Sequence, residues 1–136
     1  MNFLRGVVSR EGEHLVFDEG TSRLELPPSL AAAAGPRLGR ELVLGVRPEL
    51  ISTAEGARFP LGRTSLRARV RQVQMLGDCQ HVYLVTERHP HIVASVDGYA
   101  PLREREALDV HIDMERAHLF EPGEMGARVA GPTAAA

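Results

Sequence analysis

With 136 residues, 43% of them hydrophobic and 25% charged, the chain has globular proportions. It is long enough to bury a core, as one domain or as two small intertwined barrels. A formal net charge of −2 argues against a nucleic-acid partner, whose binding draws on a cationic excess. A single cysteine, Cys79, excludes an internal disulfide, and no run of about 18 apolar residues offers a bilayer span.

The start, "MNFLRGVVSREGEH", lacks the basic-then-apolar pattern of a signal peptide, so a soluble, cytoplasmic module is expected. Phe3 to Ser9 and His14 to Asp18 read as strands of a hairpin around "REGE". Arg23 to Leu26 reads as a third strand, closed by Pro27 and Pro28, which cannot donate to a ladder. "SLAAAAG" reads as one or two helical turns, with Ser29 as N-cap and Gly35 as the stop. "ELVLGV" is strand again, and the turn-rich segment at about residues 52–64 connects two halves.

"SLRARVRQVQML" follows as a long strand with Arg67, Arg69 and Arg71 on one face. "HVYLV" and "HIVASV" flank "TERHP" as a second hairpin, and "ALDVHID" is the last substantial strand before "MERAHLFEP". From residue 123 the chain turns to Gly, Ala, Pro and Thr, a tail expected to be disordered. Many short strands, regular turns and one short helix predict an all-β barrel or sandwich spanning residues 1–122.

Chemistry is scarce. No Walker-type phosphate loop occurs and the chain has no lysine, so a nucleotide cannot be hydrolysed by that route. Cys79 has His81 two residues on, a pairing that would suit a nucleophile, but "GDCQ" reads as a turn entering a strand. Metal ligation would need Cys79, His81, His89 and His91 together. If "TERHP" is a hairpin loop, the two pairs sit at opposite ends, on the order of 16 Å apart. The arginine ladder lacks interleaved aromatics on which bases could stack, so a solvated strand face explains it better.

The stretch "LGVRPELI" is the most informative. Gly45 inside a strand favours a bulge or a close backbone approach. Pro48 ends the ladder and suits the first position of a helical turn, where Glu49 complements the dipole. Arg47 carries donors for a carboxylate or for neighbouring carbonyls. The tripeptide reads as a hard corner of architectural purpose.

Taken in order, "MNFL", "LGVRPELI", "VRQVQMLGDCQHVYL" and "MERAHLFEP" resemble the C-terminal regulatory domain of maltose-type ABC importer ATPases, over about residues 1–122. Glycerol-phosphate and multiple-sugar importers share that pattern. Arg47, Pro48 and Glu49 match the family's corner, Leu76 and Gly77 its Leu-Gly turn. Glu115, Arg116, His118, Leu119 and Phe120 match its closing segment, with Leu119 and Phe120 expected in the core.

The resemblance implies a transport-associated OB-like fold of two small barrels with exchanged strands. It also implies a missing N-terminal ATPase domain that holds ATP and Mg, so this chain would have no catalytic, cofactor or metal site. Implied partners are a second copy, the ATPase domain, the permease through it, and a regulatory protein, with the whole peripheral at the inner face of the cell membrane. The chain departs from the pattern at Leu50, Cys79 and Met114, where histidine, an acidic residue and proline are common. Contacts made there in relatives, including those to an inhibitory phosphotransfer protein, are therefore not carried over. The alternative from another class is a small-ligand or oxyanion-binding OB-like barrel, as in related importer domains.

Overall fold

The computed structural model describes residues 1–59, 61–123 and 128–130. Strand β1 (Asn2–Glu11) alternates, burying Asn2, Leu4, Gly6 and Val8 on one face. A two-residue turn leads to β2 (His14–Asp18), and β3 (Arg23–Glu25) adds to its far side. The helix α1 (Pro28–Ala34) buries Leu30 and Ala34. Its entry differs from the expectation: extended Pro27 caps it without a side-chain bond, Pro28 takes the first position, and Ser29 lies inside the first turn. A proline at that position sacrifices a donor that the first turn leaves unpaired anyway. Gly35 is right-handed, with φ −51°, and continues into a 3-10 turn instead of stopping the helix.

The remaining strands are β4 (Glu41–Val46), β5 (Ile51–Ser52), β6 (Ser65–Met75), β7 (Cys79–Val85), β8 (Ile92–Asp97), β9 (Ala107–Ile112), β10 (His118–Phe120) and β11 (Arg128–Ala130). They form a six-stranded sheet ordered β11-β10-β4-β1-β2-β3 and a five-stranded sheet ordered β5-β9-β6-β7-β8. Strands are exchanged between the halves. Early β5 pairs with late β9, and late β10 returns to pair with early β4.

The tail is a correction. Its residues 128–130 form β11, pairing Leu119 with Ala130 and Phe120 with Arg128, and Val129 packs against the core. Residues 124–127 and 131–136 of that tail lie outside the described residues.

The arginine ladder is also shorter than expected. Val70 faces Leu84 but the next pair is Gln72 with Tyr83, so Arg71 is the extra residue of a bulge. Before the bulge Leu66, Ala68 and Val70 face inward; after it, Val73 takes the place opposite buried Val82. Arg67 lies 3.5 Å from Asp109, and Arg69 donates to the Arg105 carbonyl at 2.8 Å. These charges serve the sheet itself.

One apolar cluster runs through both sheets, from Leu4, Leu24 and Leu44 to Leu66, Leu84 and Ile112. Scarce aromatics make it aliphatic, with Phe17 the one fully buried ring among the described residues. No helix among them is long and apolar enough to cross a membrane.

Candidate functional site

The chain passes between the sheets at two places, and the sequence motifs mark both. The first lies between β4 and β5. Arg47 is extended at φ −72°, ψ 148°, and Pro48–Leu50 make one 3-10 turn closed by the Leu50 amide on the Arg47 carbonyl at 2.9 Å. Proline fixes the backbone angle there, so the corner is rigid by covalent geometry. Glu49 lies in its first turn.

The second passage lies between β9 and β10, where Met114–Arg116 form another 3-10 turn. The Asp113 amide donates to the Leu50 carbonyl at 2.9 Å, so the two corners touch. Two motifs more than sixty residues apart in sequence therefore build one crossing. Arg47, Glu49, Glu115 and Arg116 are exposed on it, while Met114 is buried. Arg116 lies 3.6 Å from Asp113.

Leu76 and Gly77 are placed elsewhere. They form the turn from β6 to β7, with the Leu76 amide on the Cys79 carbonyl at 2.9 Å and Gly77 at φ 89°. Only glycine adopts that conformation without strain, which accounts for it there.

The closing segment splits across two faces. Leu119 pairs with Leu44 and is fully buried, but His118 and Phe120, its strand neighbours, point to the other face. Phe120 is thus not core, contrary to expectation. Period-two alternation puts adjacent residues on opposite faces whatever their polarity. Its ring meets Phe3 edge-on at 6.0 Å and 68°, and Phe3 itself is 58% exposed. Gly45 lies beneath: a Cβ there would stand 2.7 Å from the Phe120 ring, so close approach, not a bulge, explains this glycine. Burial, then the Arg128 and Arg47 charges, push the His118 imidazole below its usual pKa. Its buried Nδ1 has no partner among the described residues.

Cys79 and His81 share one face of β7, but the four metal candidates do not come together. Cys79 pairs with Asp97 and His81 with Ser95, whereas His89 sits in the β7–β8 loop against Glu19. No group of three metal-ligating side chains gathers among the described residues.

Two further connections join the sheets, one through Asn2 of "MNFL" and one through Glu19, which no motif marks. The Asn2 amide group acts as a surrogate strand, donating to the Val93 carbonyl and accepting from the Val93 amide, both at 2.8 Å. Buried Glu19 accepts from Thr86 at 2.9 Å and lies 2.6 Å from His89. A carboxylate fully buried beside a turn could not be picked out from a sequence where Glu at turns is usually solvated. One cleft, of about 730 Å³, borders α1 and sets Arg10 and Arg63 among Glu13, Glu25, Asp113 and Glu115. Another, of about 670 Å³, has Glu55, Asp97, Glu106 and Asp109 on its walls and no arginine.

Two exchanged β-sheets on one aliphatic core, joined through rigid corners, define an OB-like module. The comparisons agree. Residues 1–51 match the MalK OB fold domain, and residues 44–120, more than half the chain, match the TOBE domain. The chain belongs to the TOBE domain family. It is 34% identical over 128 residues to the trehalose/maltose import ATP-binding protein MalK of Thermococcus litoralis, covering 89% of this chain and 32% of that protein. It is 34% identical over 128 residues to the sn-glycerol-3-phosphate import ATP-binding protein UgpC of Cereibacter sphaeroides, covering 93% and 35%. The chain thus spans about a third of the length of the curated relatives it matches. Among solved structures, the molybdate-bound cytoplasmic protein ModG superposes with a TM-score of 0.67 over 89% of this chain and 96% of that one, at 20% identity. That likeness concerns the fold.

Proposed function

We propose that this domain is the non-catalytic regulatory and self-association part of the ATP-binding subunit of an ABC importer for sugars or related solutes. The observation that carries the reading is the pair of family matches, which together run from residue 1 to 120 through both sheets and both crossings. The relatives named as import ATP-binding proteins support the same class.

In this reading ATP and Mg are held by an ATPase domain outside this chain, consistent with a sequence that has no lysine and no phosphate loop. The domain pairs with its counterpart in a second subunit and limits how far the two ATPase domains separate. It meets the permease only through its own ATPase domain, on the cytoplasmic side of the membrane. A regulatory protein or solute bound to it shifts the open state by no more than its differential affinity for the two states.

Sedimentation of the full-length subunit with and without this region tests the tethering. Loss of the dimer on deletion is expected, and equal dimer populations would sink the idea. Oxyanion binding, the alternative, draws no support from the 670 Å³ cleft, because four carboxylates without an arginine repel an oxyanion.

A further inference from the structure

Both ring nitrogens of His89 are engaged, and their partners dictate its charge. Nε2 lies 2.9 Å from the backbone nitrogen of Arg5, a group that can only donate. Nε2 therefore offers a lone pair, and the ring's proton sits on Nδ1, donated to Glu19 Oε2 at 2.6 Å. Glu19 is fully buried and also accepts from the Thr86 hydroxyl at 2.9 Å and from the Thr21 and Ser22 amides at 3.0 and 3.2 Å. The carboxylate is satisfied without a positive ring beside it. Burial pushes its pKa up, but the hydrogen bonds from His89, Thr86 and Thr21, with the charge of His89 when protonated, outweigh that and hold it below the usual value.

The partners come from different sheets. Arg5 belongs to the half of β1 that β2 leaves uncovered, and Glu19 follows β2. Thr86 and His89 belong to the β7–β8 loop of the five-stranded sheet. Along the same edge Asn2 bonds Val93 of β8 through an amide that does not titrate. Of the other charged groups around the ring, Asp18 is turned to Arg23 at 3.6 Å and to the Gly20 amide at 2.9 Å. Arg88 lies over Gly20, the Arg5 side chain is on the exposed face of β1, and Glu87 and His91 are exposed in the loop itself.

We propose that His89 is a proton-operated latch between the two sheets: protonation of Nε2 sets one N–H against the Arg5 N–H, so the ring keeps Glu19 and releases β1. Glu19 stays ionised through the same pH range, so the loop end of the latch holds while the strand end opens. Val93, held by Asn2, is the fixed hinge beside it.

Nitrogen-15 NMR of the His89 ring and amide hydrogen exchange, both on the whole chain from pH 8 to pH 5, test this. At pH 8 the ring should show an unprotonated Nε2 and a protonated Nδ1. On acidification the Arg5 amide should lose protection by about tenfold after correction for intrinsic exchange, while Val93 keeps its own. In His89→Gln the Arg5 profile should be flat. A protonated Nε2 at pH 8, a flat native profile, a parallel loss at Val93, or an unchanged loss in His89→Gln would each overturn the latch. The tautomer measurement needs no variant, so a poorly folding His89→Gln would not protect the proposal.

Discussion

A Cβ on Gly6 would stand 2.6 Å from the Asp18 carbonyl oxygen and 2.7 Å from two Phe17 ring carbons. Both obstacles are inside the six-stranded sheet, one of them backbone, so neither can swing aside. Gly6→Ala should therefore destabilise the chain by about 1–3 kcal/mol, read from urea unfolding. Glu19 makes a different prediction. Its folded pKa lies below the ordinary 4.5, so its contribution to stability is complete above the ordinary value and is lost as pH falls through the folded one. Stability should drop more steeply toward acid in the native chain than in Glu19→Gln, measured as unfolding midpoints between pH 7 and pH 3. Neither residue announces itself in the sequence. Gly6 sits in an ordinary strand pattern, and Glu19 sits beside a turn where glutamate is usually solvated.

Adjacent residues of β10 separate the two roles that apolar character alone cannot distinguish. Leu119 lies against Leu44 in the core and Phe120 lies outside against Phe3. Leu119→Ala should cost about 2–5 kcal/mol, and Phe120→Ala less than half as much, despite the larger side chain removed. Comparable losses in urea titrations of the two variants would contradict the face assignment. Strand existence was legible in the sequence because period-two alternation is local, as in "NFLRGVV" and "QHVYLV". The corner at Arg47–Leu50 was legible because proline acts on its own backbone. The helix cap was not: Ser29 and Pro28 compete for the entry, and the rigid angle of proline prevails. The bulge at Arg71 was hidden too, since a bulge is a relation between two strands.

At the scale of the whole molecule, exchange of β5 and β10 makes each sheet incomplete without residues from the other half. The core is continuous across both, so the halves should not unfold separately. Both tyrosines, Tyr83 and Tyr99, lie in or just beyond strands of the five-stranded part, while far-UV circular dichroism reports both sheets. Urea transitions followed by tyrosine fluorescence and by circular dichroism should coincide, and resolved midpoints would show the sheets to be independent. The sequence by itself determined the strands, the rigid corner and the order of motifs that places the chain in its family, because each depends on a few neighbouring residues. Only the tertiary structure decided that the two corners touch, that β10 lies beside β4, that Asn2 and His89 join the sheets, and that Phe120 faces outward. Those facts depend on the register between segments far apart along the chain, and side-chain chemistry within one segment carries no record of it.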